Sequence, residues 1–412
     1  MSNQTNNTKK WGEEVFSLLS WFKIEKVKNA KVMVVGAGAL GNEVLKNLAL
    51  FGVGNIIVID FDKIEYSNLT RSILFRMEDA DKGFYKAEIA AKRLVEINDS
   101  IYTQAICGDL STAVGLGVYR RMDVVVGCLD SLRARMLLNR LCFRAGKIWI
   151  DGGIGDLEGQ VSVYQLNKNC YECSLSEEEI PEISKNTHEN RTSCPQIAQG
   201  NTIRGRVATT PVSASIIGAI QAQEALKIIH ANELNSGVFS TLTGKMFHYE
   251  GKHNQAGTFD LSIYHNECVS HECWDNIVEM QELSADTKIG DAINLIKKTL
   301  QVESVTINLR NDKFVDYLSS RSNNKKFVTM LPESQIPNLI DSSKEMEYLA
   351  IADGGLYQHT YEDIDEEFPY QELTLKEIGI PYLDVLQITT EKGYAYVELS
   401  ADIKRYNDLF SS

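Results

Sequence analysis

The chain has 412 residues, of which 43% are hydrophobic and 24% charged, and its net charge at pH 7 is −14. This composition is typical of a folded globular protein of two to three domains and excludes a disordered or fibrous chain. The acidic balance argues against a nucleic-acid-binding protein, because neutralising phosphates requires a basic surface.

The sequence also bears on the compartment. No apolar run reaches the ~18–20 residues of a membrane span, and the polar residues 1–10 lack the apolar core of a secretory signal. The eight cysteines are too few for a disulfide scaffold, and their tight pairs indicate metal ligands in a reducing compartment. We therefore expect a cytoplasmic protein that does not enter a membrane.

The first half of the chain alternates strand and helix patterns. An amphipathic helix, or two, is predicted over residues 11–29. A β-branched run at 31–35 then ends in glycines, helix formers follow, and a second apolar run covers 55–60. Strand, helix and strand within about 30 residues predict a βαβ unit and hence a parallel sheet. The alternation continues in KAEIAAKRLVEIN, YTQAICGD, DVVVGCLD, SLRARMLLNRLCFRAG and IWIDGGI.

The second half is more antiparallel in pattern. Strands are predicted at GQVSVYQL, VFSTLTG and MFHYEG, with a long helix at VSASIIGAIQAQEALKIIH. A polar stretch at 174–210 is typical of a mobile functional loop. We predict an N-terminal tail and helical segment (1–30), a domain on a doubly wound, Rossmann-like, mostly parallel sheet (31–275), and a small α+β domain (276–412). In the last of these the pattern indicates strands at ESVTINL and AYVELS and a helix at IGDAINLIKKTL.

A glycine-rich turn lies between the first strand and its helix. Gly36-Ala37-Gly38-Ala39-Leu40-Gly41 fits GxGxxG, in which the glycines let the backbone approach a phosphate. Asp60 ends the second strand, where an acidic side chain takes the ribose hydroxyls. The pattern predicts a nucleotide site and by itself makes NAD the default ligand.

Three further features favour phosphoryl chemistry over hydride transfer. A polar loop runs from Asp62 through Asn68 to Arg71, Lys86 begins a helix, and Asp130 ends an apolar strand. Cations offset the charge of a triphosphate, and a carboxylate holds Mg²⁺. Each has a simpler interpretation, namely solvated cations and, for Asp130, a helix N-cap.

From about Lys31 to Gly251 the sequence resembles the adenylating core of ubiquitin-activating-type enzymes, the ThiF/MoeB/HesA superfamily. The resemblance rests on VVGAGALGNEVLKNLALFGVGNIIVIDFDKIEYSNLTRS, KAEIAAKRL, GCLDSLRARMLLNRLC, IDGGIGDLEGQVSVY, CYEC and IIGAIQAQEALK. It implies adenylation of the C-terminal glycine of a ubiquitin-like protein by ATP, often followed by transfer of the acyl group to a cysteine.

The same resemblance implies roles for individual residues. The glycine turn and Asp60 would hold adenosine, and Asp130 would hold Mg²⁺. The phosphates would be contacted by Asn68, Arg71 and Lys86. Family homodimers often supply an N-terminal arginine to the partner's ATP, but WGEEVFSLLSWF contains none. The substitutes that we consider are Arg133, Arg135 and Arg204, and the alternative is that this contact to the partner's ATP is absent.

A zinc site is predicted from cysteine spacing. Cys170 and Cys173 form one half, and Cys268 with His271 has the matching two-residue gap, while Cys273 is the alternative fourth ligand. The family resemblance implies a second pair of ligands in this part of the chain, and in the family that pair is usually two cysteines. Four protein ligands would make the site structural. The competing interpretation is a set of buried free thiols.

Cys194 is the candidate thioester cysteine because it lies in the polar loop, where the family's cysteine often lies. The competing interpretation is an inert thiol. By contrast Cys107, Cys128 and Cys142 are expected in the core.

We therefore expect an ATP- and Mg²⁺-dependent homodimeric activating enzyme for a ubiquitin-like protein, whose C-terminal domain recruits a partner such as a conjugating enzyme. The alternatives are a sulfur-carrier-protein adenylyltransferase of thiamine- or molybdopterin-type cofactor synthesis, an NAD-dependent oxidoreductase, and a non-catalytic scaffold.

Overall fold

A computed structural model gives the architecture of the chain. It describes residues 11–175, 202–203, 206–207, 209–230, 237, 239–261, 264–309, 312–320, 324–352 and 355–410. Within these ranges, no helix is both long enough and apolar enough to cross a bilayer. The chain divides into two compact units, formed by Met1–Leu110, Tyr119–Cys273 and Asp408–Ser412 in the first and by Ser111–Val118 and Trp274–Asn407 in the second.

The first unit is built on an eight-stranded sheet of order β10-β9-β6-β5-β4-β1-β2-β3. The strands of this unit are β1 (Lys31–Val35), β2 (Asn55–Ile59), β3 (Tyr102–Ile106), β4 (Val124–Gly127), β5 (Trp149–Ile154), β6 (Glu158–Tyr164), β7 (Thr202–Ile203), β8 (Arg206–Val207), β9 (Lys245–Glu250) and β10 (Gln255–Asp260). Of these, β7 and β8 form a separate two-stranded sheet. The pairs among β1 to β5 are parallel, and those from β5 to β10 are antiparallel. The predicted Rossmann-like, mostly parallel sheet is confirmed.

Helices connect and cover these strands. Up to residue 273 they are α1 (Glu13–Phe16), α2 (Ile24–Asn29), α3 (Ala39–Phe51), α4 (Met77–Asp81), α5 (Lys86–Ile97), α6 (Leu116–Arg120), α7 (Leu132–Arg144) and α8 (Pro211–Ile229). β2 and β4 are buried along their whole length, as expected of parallel strands covered on both faces. α8 begins with Thr210 as N-cap and Pro211 at its first position, and it packs against α3 and β5.

The antiparallel end of this sheet differs from the prediction. No strand forms among the described residues of VFSTLTG, where Thr243 makes only an isolated bridge to Val163. β10, which the sequence pattern did not predict, pairs with β9 and supplies the edge instead. The exposed residues of β10 explain the miss, because a strand with little buried apolar surface has weak alternation.

The second unit contains a five-stranded sheet of order β11-β18-β17-β12-β16 and a three-stranded sheet of order β14-β13-β15. Its strands are β11 (Val278–Met280), β12 (Thr306–Asn308), β13 (Phe314–Ser320), β14 (Lys326–Pro332), β15 (Leu356–Tyr361), β16 (Asp363–Ile364), β17 (Val385–Thr390) and β18 (Gly393–Leu399). The remaining helices are α9 (Ile289–Leu300), α10 (Ile336–Ser342), α11 (Lys344–Ala352) and α12 (Asn407–Phe410). The first and last strands, β11 and β18, run parallel.

α9 shows why the sequence pattern located this helix. Ile289, Ala292, Ile293 and Ile296 are all buried and recur at i, i+3, i+4 and i+7, which is one face of a helix. The segment after this helix returns to the sheet as β12.

Ser111–Val118 belongs to the second unit although it lies far from it in sequence. The amide of Gly117 donates to Leu383 O at 2.9 Å, and that of Leu116 to Asp384 Oδ1 at 2.8 Å. A Cβ on Gly115 would lie 2.4 Å from Tyr382 O, so only glycine permits this approach. The second unit is therefore assembled from two separate stretches of chain.

Candidate functional site

The glycine turn joins β1 to α3 under tight steric constraints. Gly36 has φ +97°, and a Cβ on it would lie 2.3 Å from Cys128 O. A Cβ on Gly41 would lie 1.9 Å from Gly36 O. At Gly38, in contrast, a Cβ would meet no atom within 4 Å. The absence of a side chain at Gly36 and Gly41 thus allows the backbone of the turn to pack closely against neighbouring backbone atoms, whereas Gly38 borders open space.

Asp60 fastens the turn to the end of β2. Its carboxylate accepts the amide of Ala37 at 2.7 Å and that of Asp62 at 2.8 Å. Burial raises the pKa of Asp60, and the charge of Lys86 and these two amides oppose that rise. Each carboxylate oxygen has more than one lone-pair site, so Asp60 can still accept a ribose hydroxyl.

Lys86 lies at the first position of α5, bound to the loop after β2. Its Nζ contacts Asp62 Oδ2 at 2.8 Å, and its backbone amide donates to Asp62 O at 2.9 Å. The Lys86 side chain is 11% exposed. The alternative that Lys86 is a solvated surface cation is therefore wrong, since it is an ordered charge next to Asp60.

Asn68 and Arg71 lie on the loop that follows. Asn68 Oδ1 accepts the amide of Glu65 at 2.9 Å and closes a 3-10 turn, Tyr66–Asn68. Arg71 Nη1 donates to Ser67 O at 2.9 Å in an exposed position. Both side chains make local contacts here, and their role toward phosphates stays a prediction.

Asp130 is exposed at the end of the β4 segment. The N-cap of α7 is Ser131, whose hydroxyl accepts the amide of Ala134 at 3.4 Å. The alternative interpretation of Asp130 as that N-cap is therefore wrong. Its carboxylate is left at the edge of the sheet, where it can meet a ligand.

The buried side chain of Arg135 is hydrogen-bonded to the backbone of the residue that precedes Asp130. Its side chain is 1% exposed and pairs with Asp151 at 2.8 Å, while Nη2 donates to Leu129 O at 2.7 Å and to Gly152 O at 2.9 Å. Burial raises the pKa of Asp151, and the guanidinium opposes that rise. Arg135 is therefore excluded as a substitute for the missing N-terminal arginine. Arg133 is exposed, and Arg204 lies outside the described residues.

The glycine turn and Asp130 lie at one point of the sheet. β1 lies between β4 and β2, so the chain order reverses between β1 and β4. Ligands of open parallel sheets bind outside the carboxyl ends of the strands at such a reversal. The glycine turn follows β1 and Asp130 follows β4, so both flank this crevice, which we call the nucleotide crevice.

A second cluster contains sulfur and imidazole. The ligand atoms of Cys170, Cys173, Cys268 and His271 lie within 4.8 Å of one another, and they can hold one metal ion. His271 Nε2 lies 3.3 Å from Cys173 Sγ. The first pair sits at the 3-10 turn Glu172–Ser174 and the second at the turn Val269–His271. His271, and not Cys273, is the fourth member of this cysteine cluster.

The electrostatics of the cysteine cluster suit a cation. Burial raises the pKa of Cys170 and that of Cys173, so free thiolates there would be costly without a positive partner. Burial lowers the pKa of His271, which favours the neutral imidazole that binds metals. Zinc accepts this set of three sulfurs and one nitrogen tetrahedrally.

Neighbouring polar groups, which cysteine spacing could not reveal, brace the cluster. Asn139 Nδ2 donates to Cys170 Sγ at 3.2 Å. Glu172 is 2% exposed, accepts both Arg140 nitrogens at 2.8 and 2.7 Å, and also bonds to Ser270. The only sequence signal for Glu172 is its place inside CYEC.

Of the three cysteines that were predicted to lie in the core, two are buried and one is exposed. Cys128 and Cys142 are buried, and burial raises the pKa of both thiols. Cys107 is exposed, so its assignment to the core is wrong. Cys107 directly follows the last residue of β3, and β3 is an edge strand with a neighbouring strand on one side only. Cys194 lies outside the described residues.

The chain is similar in sequence to a known protein family and to several of its members. The sequence profile of the ThiF family matches residues 2–270. SUMO-activating enzyme subunit 2 of Dictyostelium discoideum is 38% identical over 161 residues, which are 39% of this chain and 24% of that protein. The sulfur carrier protein adenylyltransferase of Thermus thermophilus is 32% identical over 232 residues, 55% of this chain and 76% of that protein.

The chain spans 24% to 54% of the length of the first relatives, the Dictyostelium protein and three insect proteins named adenylyltransferase and sulfurtransferase MOCS3. Among solved structures, E. coli MccB with ATP is 22% identical, with a TM-score of 0.49 over 66% of this chain and 77% of that chain.

Proposed function

This chain belongs to the ThiF family, and from that premise we propose that it uses ATP to adenylate the C-terminal carboxylate of a ubiquitin-like or sulfur-carrier protein. The observation that carries the proposal is the nucleotide crevice, where the Asp60-bound glycine turn and the exposed Asp130 flank the reversal point of the sheet. The names of the Dictyostelium and Thermus relatives support the substrate class.

The proposed reaction needs positive charge around a triphosphate. An oxygen of the partner's terminal carboxylate attacks the α-phosphorus of ATP, the bond from that phosphorus to the bridging oxygen breaks, and pyrophosphate leaves. Two anions meet in the transition state, so fixed cations lower the barrier. In this proposal Asn68, Arg71 and Lys86 contact the phosphates. Asp60 holds the ribose, and Asp62 lies next to Asp60.

Asp130 fits a role in holding Mg²⁺. It offers an exposed carboxylate, the ligand type that Mg²⁺ prefers, at the edge of the sheet where the phosphates would lie. The ion would supply charge neutralisation on the phosphate oxygens. Arg135 would keep the Asp130 segment in place through its bond to Leu129 O.

ATP–pyrophosphate exchange tests the proposal. The probe is a panel of small β-grasp proteins that end in glycine, each paired with a version lacking that residue. We expect exchange with at least one intact protein and none with its shortened form. Lys86→Ala and Asp130→Ala should each lower the exchange rate by about 10²–10³, whereas Lys92→Ala, on the exposed side of the same helix α5, should not. Near-normal exchange in both site variants would remove them from the mechanism, and NADH binding without ATP binding would favour the oxidoreductase.

The step after adenylation has two candidates. In a ubiquitin-like pathway the acyl group would pass to the Cys194 thiol, with AMP as the leaving group. In a sulfur-carrier pathway the chain would stop at the adenylate, and a persulfide supplied by a sulfur-donating enzyme would attack its acyl carbon with AMP as the leaving group. The Dictyostelium relative, at 38% identity, supports the first candidate, and the Thermus relative, of which the chain covers 76%, supports the second. A DTT-sensitive conjugate that Cys194→Ala abolishes, while adenylation continues, would favour the first.

The cysteine cluster is proposed as a structural zinc site formed by Cys170, Cys173, Cys268 and His271. All four ligands come from the protein, so no position remains for a substrate. The site would tie the chain after β6 to the end of the first unit.

Two assembly proposals complete the function. The small C-terminal domain (276–412) is proposed to recruit a basic partner, such as a conjugating enzyme, because residues 274–407 carry 24 acidic and 13 basic side chains.

A homodimer is supported by exposed apolar side chains on the N-terminal segment, where Leu18 is 82% and Val15 64% exposed. Sedimentation of the wild type and of Leu18→Asp tests the dimer.

A further inference from the structure

Asn42 lies one residue after the glycine motif, on the first turn of α3, and is fully buried. Its amide nitrogen donates to Ala37 O at 2.7 Å and to Gly38 O at 3.0 Å. Its amide oxygen accepts the backbone N–H of Leu74 at 2.8 Å. Both donor hydrogens and the acceptor oxygen are thus used, and all three bonds go to backbone atoms near the nucleotide crevice.

These bonds join two segments that are distant in sequence. Ala37 and Gly38 form the glycine turn. Leu74 is three residues beyond Arg71, and the 3% exposed side chain of Leu74 anchors that loop in the core. Within the part of the chain that the structure describes, the hydrogen bonds of Arg71 are local, to Ser67 O at 2.9 Å and to Asn68 O at 3.1 Å. The Asn42 bond to Leu74 is therefore a buried polar connection between the loop that carries Arg71 and the glycine turn.

We infer that Asn42 is a positioning residue that fixes Arg71 relative to the glycine turn, so that both meet the same phosphate chain. This inference rests on the proposed function, since it takes Arg71 as a phosphate ligand. The geometry explains why asparagine stands here. Aspartate lacks donors and would set its charge against two carbonyl oxygens, and an apolar residue would leave the buried Leu74 amide without an acceptor.

The test compares Asn42→Ala with Asn98→Ala. Asn98 is also fully buried in the first unit, and it donates to Ala49 O at 3.0 Å near the opposite end of α3. Both variants lose a buried asparagine, so both should lower the melting temperature. Only Asn42→Ala should weaken MgATP binding, by about tenfold, because only that variant frees the Arg71 loop.

A double-mutant cycle shows whether Asn42 acts through Arg71. We expect Arg71→Ala to weaken MgATP binding and Asn42→Ala to add little further loss in the Arg71→Ala background. Without nucleotide, hydrogen exchange of the Leu74 amide should be faster in Asn42→Ala than in Asn98→Ala. If Asn42→Ala does not fold, Asn42→Ser takes its place in the same cycle.

The outcomes separate the two proposals. Full additivity of the two losses, or wild-type MgATP affinity in the Asn42 variant, would overturn the inference while ATP binding by the wild type keeps the proposed function. Failure of the wild type to bind MgATP would overturn the proposed function and this inference with it.

Discussion

In the nucleotide crevice the buried polar side chains have protein partners, whereas in the cysteine cluster the ligand atoms crowd against one another. Asp60 accepts two backbone amides, and Lys86 pairs with Asp62 at 2.8 Å. In the cluster, three sulfurs and an imidazole nitrogen lie within 4.8 Å, and burial raises the pKa of Cys170 and Cys173. The crevice is thus organised before any ligand arrives, whereas thiolates in the cluster would be stabilised by a cation such as the proposed zinc.

Because of this difference, we expect changes in the crevice to affect mainly activity and changes in the cysteine cluster to affect mainly stability. Losing the ligand of a preorganised crevice should leave the fold unchanged, because its polar groups keep their protein partners. Losing a cation from the cluster should destabilise the first unit, because buried thiolates would have to take up protons. Variants in the two regions therefore should affect different measurements.

The largest expected effect is removal of the proposed zinc. Cys170→Ser or treatment with a strong chelator should cost on the order of 5 kcal/mol or more, a fall in melting temperature of roughly 10–20 °C. Metal analysis and thermal unfolding measure both quantities. Cys273→Ser is the matched control, because Cys273 lies beside Gly146 and outside the cluster. Purified wild type with far less than one zinc per chain, and a melting temperature that the chelator leaves unchanged, would refute a metal site.

Arg135→Met tests the buried ion pair beneath the crevice. Removing the guanidinium leaves Asp151 buried without a counter-charge, which should cost about 3–5 kcal/mol of unfolding free energy. Burial without Arg135 raises the pKa of Asp151 further, so the loss should be full only at pH values above that raised pKa. It should shrink as the pH falls through that raised value, because protonated Asp151 needs no counter-charge. Urea unfolding across pH measures this, with the exposed Arg133→Met as control. A small, pH-independent loss would mean that the pair does not stabilise the fold.

The smallest expected change in stability is that of Gly38→Ala. Its φ of −72° suits any residue, and the added Cβ meets no protein atom within 4 Å, so stability should change by less than about 0.5 kcal/mol. MgATP affinity should nevertheless fall by about 10–100-fold, because the methyl group enters the space proposed for phosphates. Gly41→Ala is the contrast, since its Cβ would lie 1.9 Å from Gly36 O and should impair folding. Unchanged MgATP affinity in Gly38→Ala would place the phosphates elsewhere.

Sequence reasoning succeeded where the signal is local. The i, i+3, i+4 spacing located α9, and GxGxxG placed the turn between β1 and α3. It failed where distant contacts decide. Arg135 has the sequence of a surface cation on a helix, but it pairs with Asp151, which lies on β5. Cys107 follows a predicted strand, but that strand is the edge strand β3, and the thiol after it is exposed.

By itself the sequence determined the βαβ pattern, the glycine turn and the two halves of a cysteine cluster, because each depends on residues that are close along the chain. Only the tertiary structure decided that Ser111–Val118 joins the second unit, that His271 completes the cluster, and that Asn42 links the glycine turn to the Leu74 segment. Each of these depends on which backbone atoms meet after folding, and short-range periodicity contains no record of such distances.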